Sequence, residues 1–312
     1  MRIGVIDIGS NTIKLLVAAR STRGGIDTVH YAVEEARIGR GIGSDRPALT
    51  EESMQRGVAA VATLVERART FNPVQIVLVA TSAVREATNG QDFARRIHRE
   101  TGLAVRILTG TEEADAIGRG LATDPALAGA RNFYLFDLGG GSLECLEFRE
   151  RRAAQSASLR LGCVRLTERC VTDPAAPFTA TDRSAVAAAV LHEFAAEASS
   201  GFHFTLPSPA AAVATGGTVT TVRAMLAASA GHPLSEASPT VNTAELEHLL
   251  DLSAALPLAE RRQLPGLPAA RADVFPTALT TMLEVARLAG VEKFTHSYHN
   301  LRYGIAAEQL GL

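Results

Sequence analysis

The chain has 312 residues, 46% hydrophobic and 21% charged, with Lys+Arg 31 against Asp+Glu 33 for a net charge of -2. That length exceeds the size at which one hydrophobic core keeps growing, so two domains are expected; the balanced charge, with no Trp and four Tyr, excludes a duplex nucleic-acid binder. Cys145, Cys163 and Cys170 lack the spacing of a disulfide framework or zinc site, no run reaches the ~18 apolar residues of a membrane span, and Asp7 comes too soon for a secretory segment, so a soluble cytoplasmic protein is expected.

In chain order, residues 3–6 form a strand that delivers Asp7 to its end. Ile8-Gly9-Ser10-Asn11-Thr12 turns the chain, and residues 13–19 and 28–33 complete a three-stranded meander. Thr50 caps a helix with Met54, Val58, Val61 and Val65 at helical spacing. Residues 74–80 are apolar on both faces, as in a strand covered by helices, and run into Thr81-Ser82-Ala83-Val84-Arg85-Glu86-Ala87. That helix start can be an anion site, or Arg85 can be a surface residue of a capped helix. A basic helix over 91–101 is stopped by Gly102. A strand over 103–108 then enters Thr109-Gly110-Thr111-Glu112-Glu113-Ala114. Acidic residues in a first turn suit the helix dipole, but adjacent residues point about 100° apart, so one carboxylate can cap while the other faces a cleft. Asp124-Pro125 and Gly129 mark the domain boundary.

The second half opens with Phe133-Tyr134-Leu135-Phe136-Asp137-Leu138-Gly139-Gly140-Gly141-Ser142-Leu143-Glu144, a strand, a glycine turn and a returning segment. A GGGS turn is either a flexible hairpin or a phosphate cradle flanked by two carboxylates. It echoes the Asp7 hairpin, and the repetition suggests two lobes of similar topology facing each other. Residues 155–161 pair back, and Gly162-Cys163-Val164-Arg165-Leu166 leads into a helix. An alanine-rich helix is capped by Asp182, and a strand over 211–214 ends in Thr215-Gly216-Gly217-Thr218, a further small-residue loop opening a helix. A helix spans 244–255, a long one runs from Arg271 to 288 with Pro276 in its first turn, and a strand covers 291–295. His296 and His299 are metal ligands or ordinary loop histidines. The closing helix, residues 301–310, is expected to pack back across both halves.

The segments Asp7 to Thr12, Ala80 to Ala87, Leu108 to Ala114, Asp137 to Glu144, Leu161 to Leu166 and Thr215 to Thr218 together resemble the exopolyphosphatase/guanosine pentaphosphate phosphohydrolase (Ppx/GppA) family in its short two-domain form. The resemblance implies an α/β fold of two ribonuclease-H-like lobes, as in the actin/Hsp70/sugar-kinase superfamily, with an interdomain active-site cleft. The lobes are expected over 1–123, completed by 300–312, and over 124–299. It further implies hydrolysis of a terminal phosphoanhydride, in polyphosphate or guanosine pentaphosphate, with Mg2+ or another divalent cation.

Carried onto this chain, the family pattern makes Glu113 the general base, and Asp137 and Glu144 the acidic pair for metal and water, with Asp7 added to the metal ligands. Ser10, Asn11, Arg85, Gly139, Gly140, Gly141, Ser142, Gly216, Gly217, Thr218 and Arg302 fall at phosphate-binding positions. Two departures stand out. Asp115 replaces the Arg or Gly of relatives, and would repel a polyanion unless it points away or helps hold a cation. Ser297-Tyr298-His299-Asn300-Leu301-Arg302-Tyr303-Gly304 lacks the acidic residues common in relatives. The expected activity is an exopolyphosphatase; the alternatives are guanosine pentaphosphate hydrolysis, a non-hydrolysing nucleotide or polyphosphate sensor and, more weakly, a kinase. No nucleic-acid or membrane partner is expected, and a homodimer is the assembly carried forward.

Overall fold

Short apolar strands separated by glycine turns build the first of two sheets. The computed structural model describes residues 1–22, 24–198 and 201–312, without the side chain of residue 198. β1 (Arg2–Ile8), β2 (Ile13–Arg20) and β3 (Ile26–Glu34) form an antiparallel meander. The helix α1 (Glu51–Arg69) follows, with Thr50 accepting from the Ser53 amide. Its Met54, Val61 and Val65 are buried as the spacing predicts. β4 (Gln75–Ala80) then lies parallel to β1, and α2 (Ser82–Glu86), α3 (Gly90–Thr101), β5 (Val105–Ile107) and α4 (Gly110–Ala122) complete the series. β5 is shorter than the expected 103–108, because Gly102 ends α3 in a left-handed turn and Thr109 already caps α4. The sheet order is β3-β2-β1-β4-β5. Ile6, Ile8, Leu15 and Leu16 are fully excluded from water, each worth ~1.5–3 kcal/mol of transfer free energy.

The second sheet repeats this plan. β6 (Phe133–Leu138), β7 (Leu143–Arg149) and β8 (Arg152–Leu159) make its meander, followed by α5 (Cys163–Cys170), α6 (Ala180–Ala198), β9 (Ala212–Thr215) and α7 (Gly216–Ser229). β10 (Thr240–Asn242), α8 (Thr243–Ala254), α9 (Leu258–Arg261), α10 (Phe275–Ala289) and β11 (Lys293–His296) complete it in the order β10-β11-β9-β6-β7-β8. Here β9 and β11 occupy the parallel positions that β4 and β5 hold in the first sheet. The ribonuclease-H-like arrangement implied by the resemblance is therefore present twice.

Three expectations are corrected. Asp182 does not cap α6 from outside: it lies inside the helix and accepts from the Thr179 and Thr172 amides, while the Thr179 hydroxyl accepts from the Asp182 amide. The long helix does not start at Arg271; a single 3-10 turn ends there, and α10 begins at Phe275, one residue before Pro276, which has no amide hydrogen to continue a preceding helix. The last helix, expected to pack across both halves, belongs to the first unit, where α11 (Leu301–Leu310) packs on α4, β1 and β2. One compact unit accordingly comprises Met1–Gly129 with His299–Leu312, and the other Ala130–Tyr298. Among the described residues no helix is long and apolar enough to cross a membrane.

Candidate functional site

Strand register gathers the functional loops within each unit. In the first, Ile8 pairs with Ala80 and Ala80 with Ile107, so the chain leaves β1, β4 and β5 at the same level and the next residues cluster beyond the carboxyl ends of the strands. Open α/β sheets place ligands at such an edge. Ser10 meets Ser82 there, with their hydroxyl oxygens 3.4 Å apart, and the Asn11 Oδ1 is buried without a partner among the described residues.

Thr109 and Glu112 form a capping box at the head of α4. The Thr109 hydroxyl accepts from the Glu112 amide, and the Glu112 carboxylate accepts from the Thr109 amide. That amide, with Arg106, pulls the Glu112 pKa down to about 2. One residue on, Glu113 turns inward and is buried. Its Oε2 accepts from Arg85 Nη1 at 2.7 Å, and the same nitrogen donates to the Leu108 carbonyl at 3.1 Å. The adjacent carboxylates thus point different ways, one capping the helix and one buried against Arg85, as the helical geometry predicts. Arg85, expected as a phosphate ligand, is engaged by Glu113 and orients it. Asp115, two residues further around the helix, is exposed beside Arg106, Arg119 and Glu308 on the α4–α11 surface, so it points away from Glu113.

Asp7 and Arg302 are brought together. Arg302 Nη1 lies 3.3 Å from Asp7 Oδ2, both side chains are nearly buried, and Lys14 is the cross-strand neighbour of Asp7. Asp7, expected as a metal ligand, already has a cation of the protein against its carboxylate. Arg302, expected on phosphate, is held by Asp7 and packs over the Tyr31 ring.

In the second unit, Asp137 pairs with Thr215 and Ala214 with His296, which brings the loops after β6, β9 and β11 to one edge. Asp137 and Glu144 are direct cross-strand partners, so both carboxylates lie on one face of the sheet; Glu144 is buried and accepts from the Ser158 hydroxyl at 2.9 Å. Gly216 has φ 87°, and a Cβ there would lie 2.4 Å from Asp137 Oδ1, so glycine alone lets that carboxylate reach the head of α7. Thr215, at the N-cap of α7, makes no side-chain capping bond, and the hydroxyls of Thr215 and Thr218 are buried without partners among the described residues. Helix N-terminal amides beside unused hydroxyls are groups that suit an anion.

Arg271, read in the sequence only as a helix start, has its Nη2 where a Cβ on Gly217 would be 1.9 Å away, so its guanidinium rests against this loop. An arginine before a helix has no local signature; only the return of 269–271 to the sheet edge brings it there. His296 and His299 each meet side chains of the protein. Arg223 donates to His296 Nδ1 at 2.8 Å and Thr220 lies 3.3 Å from Nε2, whereas His299 stacks on Tyr303 and meets Thr123 at 2.7 Å.

Among the described residues there is no group of three or more His, Cys, Asp or Glu placed to hold a metal ion. Asp137 and Glu144 nevertheless give two hard oxygen donors on one face. That set suits Mg2+, which takes one or two carboxylates and completes its shell with water and phosphate oxygens.

The family model of the Ppx/GppA phosphatases matches residues 17–311, and the chain belongs to that family. Its function is that of a phosphatase. Among solved structures it is similar to an exopolyphosphatase from Cytophaga hutchinsonii, with TM-score 0.87, 24% identity and coverage of 100% of this chain and 98% of that one. An exopolyphosphatase-like protein also has TM-score 0.87, with 26% identity over 99% of this chain and 97% of its own. The Aquifex aeolicus Ppx/GppA enzyme has TM-score 0.77 and 22% identity, with 99% of each chain covered.

Proposed function

We propose that the protein is an exopolyphosphatase that releases orthophosphate from the end of inorganic polyphosphate. The observation that carries this reading is the Arg85–Glu113 pair: a buried carboxylate that accepts from Arg85 at 2.7 Å, at the sheet edge where Ser10 and Ser82 also meet. In the reading, Glu113 orients a water and takes its proton as the water attacks the terminal phosphorus in line. The amides of 140–142, the head of α7 with Thr215 and Thr218, and Arg271 bind the phosphoryl oxygens, which lets a polyanion be held by dipoles with little added charge. Asp137 and Glu144 would hold the divalent cation, which when bound neutralises charge on the phosphates and the departing oxygen.

The orientation of Asp115 supports hydrolysis over a non-hydrolysing sensor, since this one of the two departures that motivate the sensor, the other being the 297–304 segment, lies on another face of α4. Glu113→Gln is expected to retain polyphosphate binding while phosphate release falls about 10²-fold or more. Turnover at the wild-type rate would remove Glu113 from the role. Release rates from polyphosphate of defined length and from guanosine pentaphosphate decide the substrate: faster release from the nucleotide replaces the first reading with the second.

A further inference from the structure

The loop 139–142 is backed by the head of α5 through an unusual number of backbone contacts. The Cys163 amide donates to the Gly139 carbonyl at 3.0 Å, and the Val164 and Arg165 amides to the Gly140 carbonyl at 2.8 and 3.1 Å. The next carbonyl, of Gly141, accepts from Arg165 Nε at 2.8 Å. Arg165 is 1% exposed, a guanidinium inside the unit. Gly162 sits so close that a Cβ would lie 2.2 to 2.4 Å from Gly141 and Gly140 backbone atoms, which cannot yield as a flexible side chain can.

These contacts fix direction. In a planar trans peptide the carbonyl of one residue and the amide of the next point oppositely. With the carbonyls of Gly139, Gly140 and Gly141 all drawn to α5, the amides of Gly140, Gly141 and Ser142 are turned to the other side of the loop. The α5 amides themselves are engaged by carbonyls, so they are not the anion site. A glycine loop without such backing would sample both orientations of each peptide, since glycine populates positive and negative φ alike.

We propose that Arg165 is a positioning residue for phosphate binding: its buried Nε–H holds the Gly141 carbonyl so that three consecutive amides are presented together to a phosphoryl group. This rests on the phosphatase reading above but names a residue that touches no substrate. It explains why a charged side chain is retained in the interior at a place where packing alone would favour an apolar one.

The test combines kinetics with amide NMR. Arg165→Met is expected to raise KM for polyphosphate about 10-fold or more, the scale of one lost hydrogen bond to an ionic ligand, with a smaller change in kcat and native circular dichroism. Arg165→Lys keeps the charge but has carbon in place of Nε, and is expected to resemble Arg165→Met. Wild-type KM in either variant overturns the inference. Because Arg165→Met removes a buried contact and can lower solubility, the wild type supplies an independent arm: tripolyphosphate should move the amide resonances of Gly140, Gly141 and Ser142. A wild type that releases phosphate while these three stay unmoved overturns the positioning role alone. Movement of these amides without turnover of any phosphoanhydride supports positioning and overturns hydrolysis. Neither movement nor turnover overturns both.

Discussion

The hairpins after β1 and β6 have the same topology and different electrostatics. In the first, Asp7 stands opposite Lys14 and is met by Arg302, so its charge is compensated from within the unit. In the second, Asp137 stands opposite Glu144, a juxtaposition of like charges on one face of the sheet. The loops also differ in their backing. The Ser10 and Asn11 carbonyls accept from the Gly39 and Arg37 amides, whereas the Gly141 carbonyl of the second loop accepts from the Arg165 side chain. In the function proposed above the repeated fold is divided in labour: one copy presents the pair Arg85–Glu113, the other the glycine loop and the acidic pair.

The strongest test of this contrast removes one Asp from each hairpin. Asp7→Asn leaves Arg302 buried without a counter-charge and is expected to cost ~3–5 kcal/mol. Asp137→Asn removes a like-charge neighbour and is expected to change stability by no more than ~1 kcal/mol, toward stabilisation, while raising the divalent-cation concentration needed for phosphate release. Denaturant titrations of the two variants side by side measure the difference, and equal losses would erase the distinction drawn here.

A smaller effect separates the two helix starts. Thr109 caps α4 and its replacement by Ala should cost ~1 kcal/mol. Thr215 precedes α7 with its hydroxyl unpartnered among the described residues, so Thr215→Val should be neutral or stabilising yet weaken polyphosphate binding. A cost like that of Thr109→Ala would mean that Thr215 is a structural cap and not part of the cradle.

The smallest effect is a pH dependence near the end of the first unit. Burial holds the His299 imidazole below its usual range despite the opposing pull of Asp124. The folded protein therefore keeps the ring neutral where the unfolded chain takes up a proton, near pH 6.5. The stability this provides is complete above that pH and declines as pH falls below it. Midpoints of unfolding between pH 5 and 8 should fall less steeply for His299→Gln than for the wild type, and parallel curves would show that His299 does not contribute.

Local pattern alone was enough to delimit most helices and strands. Thr50 before a helical apolar stripe, Gly102 after a basic helix and the paired Asp hairpins are signals written in adjacent residues, and physics acts on them over one or two turns. The division of Glu112 and Glu113 was legible for the same reason, since 100° per residue forces neighbours to different faces. The strand β10 escaped because three residues cannot show a period, and its pairing with β11 depends on contacts far along the chain. Charge partners escaped for a related reason: Arg85 with Glu113 and Arg302 with Asp7 are joined only when the sheet aligns strand ends. The sequence by itself determined where carboxylates, glycines and helix starts would occur. Only the tertiary structure decided which arginines Asp7 and Glu113 meet, that Asp115 faces away, and that α5 and Arg165 turn the GGGS amides outward, because those choices are made by strand register and by backbones in contact.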